Sequence, residues 1–179
     1  MLVNRNILRT VILALLLLVV SATSTPAQTL RFEPNLYIPT EPNFSIPLVL
    51  EANGLSVKGV EATVTFDPAL VVLDSITAGP WYTDSGQTFF FWDYTAPYTY
   101  VIHFASAMLT GTSNTNGIIA YCHFSKVDFG TCPLTFTEHQ VRDGENIPLS
   151  FTPENGAILL DQAIKVQGLG LAEVKAIYR

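Results

Sequence analysis

Hydrophobic and polar residues alternate strictly from Gly59 to Phe66. Val60, Ala62, Val64 and Phe66 are apolar, and Glu61, Thr63 and Thr65 between them are polar. A strand sends successive side chains to opposite faces, so this pattern predicts a strand with one buried and one wet face. Asp67-Pro68 ends it, because Pro68 cannot donate a ladder hydrogen bond and holds Asp67 extended. Leu70, Val71, Val72 and Leu73 open a return strand. Applied to the rest of the chain, the same reading predicts nine strands, at 30–33, 44–51, 59–66, 70–76, 87–94, 98–105, 117–126, 133–137 and 157–160. Pro47 marks an edge or a bulge in the second of them. Turn chemistry fills the spacers, as at Asn53-Gly54, Gly79-Pro80, Asp143-Gly144 and Asn155-Gly156. Many short strands with such turns predict an all-β sandwich or barrel. No long segment has helical periodicity. Residues 162–179 stand apart as a C-terminal tail, in which 171–178 fits a short helix or a loose end.

The first 27 residues have the pattern of a secretory signal peptide. Arg5 and Arg9 precede a ten-residue apolar run, Val11 to Val20, and small residues follow, with cleavage sites after Ala22 or Ala27. The alternative, a retained anchor, needs an apolar run of about 20 residues. Loss of this segment leaves seven Lys+Arg against fifteen Asp+Glu, a net charge of −8. That balance excludes nucleic acid and anionic lipid as expected partners, since both require a basic footprint. No membrane insertion is expected after cleavage. The remaining chain, from residue 28 to 161, suits a single domain with its own core.

Cys122 shares parity with Ala120 and Phe124, and Cys132 with Leu134 and Phe136, so both are expected to face the core. In an exported chain an even cysteine count predicts one disulfide between them. Without a matching His cluster they do not form a zinc motif. No metal or cofactor is expected.

Eight aromatics crowd the stretch from Phe89 to Phe104: Phe89, Phe90, Phe91, Trp92, Tyr94, Tyr98, Tyr100 and Phe104. A hairpin buries one face, yet both parities here are aromatic. Some of these rings therefore belong to the core and others to an outer face, where apolar patches mark partner sites. Trp81 and Tyr82, beside Gly79-Pro80, read as loop aromatics available to stack on a sugar, together with Trp92. His103, His123 and His139 are isolated strand histidines, and no HExxH, EF-hand or GxSxG pattern occurs. Asp67 and Asp84 are explained by turns, and nothing pairs Glu61 or Asp93 with a second carboxylate as a glycosidase requires. An enzyme is not expected.

The segments VEATVTFDPALVVLDSI, YVIHFASAMLTG, NGIIAYCHF, CPLTF and VRDGENIPLSFTPENGAILL resemble, in that order, the strands and corners of a cohesin-type module. Cohesins share a β-sandwich superfamily with cellulose-binding modules. The resemblance implies a nine-stranded antiparallel two-sheet sandwich with jelly-roll topology, and a dockerin-like protein partner. Of the recognition positions it implies, Glu61 keeps an acid and Tyr94 keeps a tyrosine, whereas Gly59 lacks the amide and Ser106 replaces a glutamate. The expected partner-binding set is Glu61, Trp92, Tyr94 and Tyr100. The expectation is therefore a secreted, non-catalytic module at the cell surface or outside it. It binds protein in an assembly linked to polysaccharide degradation, or alternatively polysaccharide through exposed aromatics, or serves a surface protein structurally.

Overall fold

The computed structural model describes residues 27–85, 88–93 and 100–161. The signal-like segment, Tyr94, Tyr98 and the tail from 162 lie outside the described residues. The described strands are β1 (Thr29–Phe32), β2 (Leu36–Tyr37), β3 (Asn43–Glu51), β4 (Gly59–Thr65), β5 (Val71–Ala78), β6 (Thr88–Asp93), β7 (Val101–Met108), β8 (Gly117–Lys126), β9 (Gly130–Arg142), β10 (Pro148–Leu149), β11 (Thr152–Glu154) and β12 (Gly156–Leu160). A 3-10 helix, Pro80–Ser85, links β5 to β6. All nine expected strands are present. The three additions, β2, β10 and β11, are two or three residues long and too short to show a period.

The strands form two sheets. One runs β11-β1-β3-β8-β5; the other runs β2-β12-β9-β4-β7-β6, with β10 on the margin of β9. Pairing is antiparallel except for β1 with β11 and β12 with β2, which are parallel. The Asp67-Pro68 corner carries the chain from β4 in the second sheet to β5 in the first. There the Asp67 side chain accepts the Ala69 N–H at 2.9 Å, and its carbonyl accepts from Leu70 and Val71 at 3.1 Å. Pro47 does not sit on an edge, since β3 runs between β1 and β8. It lies just past the last residue paired with β1, and the ladder with β8 shifts register one residue later, between Leu48 and Val49. There the Pro47 carbonyl accepts the Glu33 N–H at 3.0 Å, at the end of the β1 ladder.

The core lies between the sheets. The expected parity of β4 holds: Val60, Ala62, Val64 and Phe66 are buried, while Glu61 is exposed and Thr63 and Thr65 are half-buried. From the opposite sheet Ile46, Leu48, Leu50, Ile76 and Phe124 meet them. Phe66 and Phe124 join the sheets edge to face at 5.7 Å, a geometry aromatic rings favour. Because one face of β4, β7 and β9 is committed to this core, the other face is left flat and wet. That outer face is where the chemistry of the sequence collects.

Candidate functional site: the outer face of the second sheet

Register across β9-β4-β7-β6 arranges the outward side chains in transverse rows. Arg142, Gly59, Ala107 and Phe89 form one row; Gln140, Glu61, Ala105 and Phe91 form the next; Glu138, Thr63, His103 and Asp93 form the third. The rows show a lateral gradient. The β6 margin is aromatic, with Phe89 51% and Phe91 45% exposed. Glycine and alanine make the centre low. The β9 margin is polar, with Arg142 held in place by Gln140, which accepts from its Nη2 at 2.6 Å, and by the Asn146 carbonyl at 2.9 Å. The outcome is a shallow open groove of about 350 Å³ over Gly59, Ala105 and Ala107, bounded by Phe89 and Arg142. Beside it, His103 Nε2 donates to Glu61 Oε1 at 3.0 Å, both side chains being substantially exposed.

This face includes Glu61, as expected, but not the aromatics chosen with it. Trp92 is a correction. It alternates with Phe91 and Asp93, so its ring shares the inner face with Phe90 and packs, half-buried, against the core. The exposed rings are Phe89 and Phe91, which sequence reasoning passed over. Their shared parity with the charged Asp93 was the signal available. Tyr100 is 39% exposed at the entry to β7, where its carbonyl accepts from Phe66 N at 3.0 Å; it lies beyond the three rows. Tyr94 falls outside the described residues. Ser106, at the recognition position where the resemblance implies a glutamate, is buried.

Trp81 and Tyr82 are a second correction. They are not loop aromatics open to a sugar but are 5% and 2% exposed within the 3-10 helix. Trp81 Nε1 donates to the Thr115 carbonyl at 2.8 Å, its ring stands edge-on to Tyr82 at 5.0 Å, and the Tyr82 hydroxyl pairs with the buried Ser106. Burial pushes the Tyr82 hydroxyl well above its ordinary pKa. The helix thus caps the core, and neither ring is free to stack on a ligand.

The expected disulfide is the third correction, since Cys122 and Cys132 are free thiols. Both face the core, as their parity predicts, but from different sheets. Cys122 pairs across to Ile46 and Ile76, whereas Cys132 lies beside Ile158 and accepts the Asp67 N–H at 3.3 Å. Facing sheets stand about 10 Å apart, while a disulfide needs Cα atoms within about 7 Å. Burial raises both thiols, Cys122 to about 12.

The remaining histidines are held in structural hydrogen bonds. His123 lies between the Ser45 hydroxyl at 2.6 Å and the Thr77 hydroxyl at 2.9 Å, with no carboxylate on its far nitrogen. His139 Nε2 donates to the Phe151 carbonyl at 3.1 Å. Among the described residues no group of three or more His, Cys, Asp or Glu is placed to hold a metal ion.

No protein-family model matches the sequence, and no curated protein is similar to it. Solved structures are similar. A non-cellulosomal cohesin from the archaeon Archaeoglobus fulgidus superposes with a TM-score of 0.62 at 14% identity, over 76% of this chain and 92% of that one. The chain has a cohesin-type fold. The sixth cohesin of Acetivibrio cellulolyticus scaffoldin B, solved in complex with a Cel5 dockerin, gives 0.63 at 18% identity, over 75% of this chain and 99% of that cohesin. A cohesin module from a Clostridium perfringens family 33 glycoside hydrolase gives 0.59 at 14% identity, over 74% and 96%. The cohesin-type sandwich, with β9, β4, β7 and β6 contiguous in one sheet, is therefore the frame in which the rows of Glu61, Phe89 and Phe91 stand.

Proposed function

We propose that this protein is a non-catalytic binding module that recognises a dockerin-type protein partner through the outer face of β9-β4-β7-β6. The observation that carries the reading is the exposure of Phe89 and Phe91 beside a floor of Gly59, Ala105 and Ala107. Exposed apolar rings flanked by polar groups are the mixture a protein interface presents. Three strand spacings separate β6 from β9, about 14 Å in all. A helix with its side chains is about 10–12 Å across, so a partner helix fits between Phe89 and Arg142. Phe89 and Phe91 supply apolar anchors, and Glu61 and Glu138 favour a cation on the partner. Cohesin-type structures solved with dockerins make this the partner class to test first. The burial of Trp81 and Tyr82 removes the observation that favoured polysaccharide. The signal-like N-terminus supports export, so the assembly served is extracellular or at the cell surface, with polysaccharide degradation as its context.

Calorimetric titration of the protein with a panel of dockerin modules, alongside soluble polysaccharides, tests the reading. At least one dockerin is expected to bind, and Phe89→Ala or Phe91→Ala to weaken it by about tenfold or more, the scale of a hot-spot ring. Ala107→Arg, which fills the floor of the groove, is expected to abolish binding. Binding that survives all three substitutions would move the interface elsewhere.

A further inference from the structure

The described residues hold four lysines and arginines among a large excess of acids. Arg31 is paired with Glu51 at 2.9 Å and with Glu33 at 3.3 Å. Lys126 donates to the Asp161 carbonyl at 2.8 Å and lies over the Phe129 ring. The other two, Lys58 and Arg142, both line the groove on the outer face of β9-β4-β7-β6. Backbone pairing sets them side by side, since the Lys58 N–H donates to the Arg142 carbonyl at 2.8 Å. Among the described residues no carboxylate is in ion-pair contact with either cation.

Arg142 is fixed without being neutralised. Its Nε and Nη2 donate to the Gln140 side-chain oxygen at 3.0 and 2.6 Å, and its Nη1 donates to the Asn146 carbonyl at 2.9 Å. Both acceptors are uncharged, and two of the five guanidinium N–H groups are left over. The adjacent acid, Asp143, is turned into its own loop, where Oδ1 accepts from the Glu145 and Ile147 N–H groups at 2.9 and 2.8 Å. Glu61 stands one row away and accepts from His103. A half-buried guanidinium held by neutral groups keeps its full charge for a carboxylate from outside the chain, and little of its freedom remains to be lost on pairing.

From this arrangement we infer that Arg142 and Lys58 form an anion site, which takes a carboxylate side chain of the protein partner at the Gly59 end of the groove. The inference rests on the protein-binding reading above and adds a second, opposite charge to it. Arg142 and Glu138 lie four residues apart on β9, about 13 Å along the strand. A helix rises about 1.5 Å per residue, so one lying along the strands covers that distance in about eight residues. An acid and a base about two turns apart on one helix face therefore meet Arg142 and Glu138 together. The face selects a bipolar amphipathic helix over a uniformly basic one, although the chain as a whole carries a charge of −6.

Calorimetric titration of the full chain with two synthetic peptides tests the anion site. Both peptides are amphipathic helices with a leucine face and a lysine at one end of it. One carries a glutamate about two turns from that lysine, and the other carries a glutamine there. The parent protein is expected to bind the glutamate peptide about threefold to fivefold more tightly, the scale of a solvent-accessible ion pair. Arg142→Gln should abolish that preference, and Arg142→Lys should keep part of it. Lys58→Gln, a second route to the same loss should Arg142→Gln be unstable, should reduce it. Arg31→Gln, on the other sheet, should leave it unchanged. The readout is a ratio within one protein, so binding of the glutamine peptide by Arg142→Gln shows that its face is still folded. Equal or weaker binding of the glutamate peptide by the parent protein, or a preference that survives when Arg142→Gln and Lys58→Gln are combined, overturns the anion site alone. Failure of both peptides to bind the parent protein overturns the helix-in-groove reading as well.

Discussion

At the residue scale, the structure separates what parity reveals from what it leaves open. Parity placed Cys122 and Cys132 in the core, and both are there. It says which face a residue takes, not which sheet, and so the pairing drawn from it fails. The consequence is direct: denatured protein purified from an oxidising compartment should titrate two thiols per chain. The native protein should react slowly, since burial raises both thiols and the thiolate is the nucleophile. Zero thiols on denaturation would restore the disulfide. Trp81 shows the same limit in another form. Beside Gly79-Pro80 it looks like a loop residue, but nothing local announces that its ring lies against Gly117, where an added Cβ would approach Trp81 Cδ1 to 2.9 Å. Trp81→Ala should therefore cost about 3–5 kcal/mol in urea unfolding, as buried Trp truncations do. Phe89→Ala should change stability by less than about 1 kcal/mol, because half of that ring is already in water.

At the element scale, the long strands were legible and their junctions were not. β4 carries uninterrupted alternation, so its inner face could be read residue by residue; β8 alternates from Ala120 to Phe124, but the bulge opposite Leu48 and Val49 buries Ile119 beside Ala120. The β6 and β7 hairpin could not, because aromatics at both parities hide which set faces the core; only the pairing of Phe91 with Ala105 and Asp93 with His103 decides it. The junction of β5 with the 3-10 helix was equally hidden. Gly79 N–H donates to the Ile119 carbonyl at 2.8 Å, and a Cβ on Gly79 would stand 2.1 Å from the Ile118 carbonyl oxygen. That obstacle is backbone and cannot swing aside. Gly79→Ala should force β5 and β8 apart where the helix departs and lower stability by about 2 kcal/mol or more, well beyond an ordinary surface substitution. Gly59→Ala is the control. Its Cβ would meet Ser106 O and Ala107 Cβ at 3.4 and 3.6 Å, ordinary contacts, so unfolding should be nearly unchanged. An equal loss of stability in the two variants would refute the steric argument.

At the scale of the whole molecule, folding and binding draw on electrostatics in opposite senses. The chain carries a formal charge of −6, from fifteen acids and nine basic residues. Such an excess repels itself more strongly in the compact state, so salt, by screening, should favour folding. One local contact opposes this: Arg31 donates to Glu51 at 2.9 Å and holds that carboxyl below its ordinary pKa. A single solvent-accessible, half-buried pair of this kind contributes on the order of 1 kcal/mol and cannot reverse the trend of a whole acidic surface. The outer face of β9-β4-β7-β6 responds the other way. If Glu61 and Glu138 attract a basic partner, the same ions that relieve self-repulsion weaken that attraction, chiefly through the association rate. Raising NaCl from 0.05 to 0.5 M at pH 7.5 should therefore raise the urea midpoint of the free protein while reducing partner affinity by up to about fivefold. Glu61→Gln should blunt the second response and leave the first. If affinity and midpoint rose together with salt, burial of Phe89 and Phe91 would be the whole of the interaction, and the acidic rows would have no part in choosing the partner.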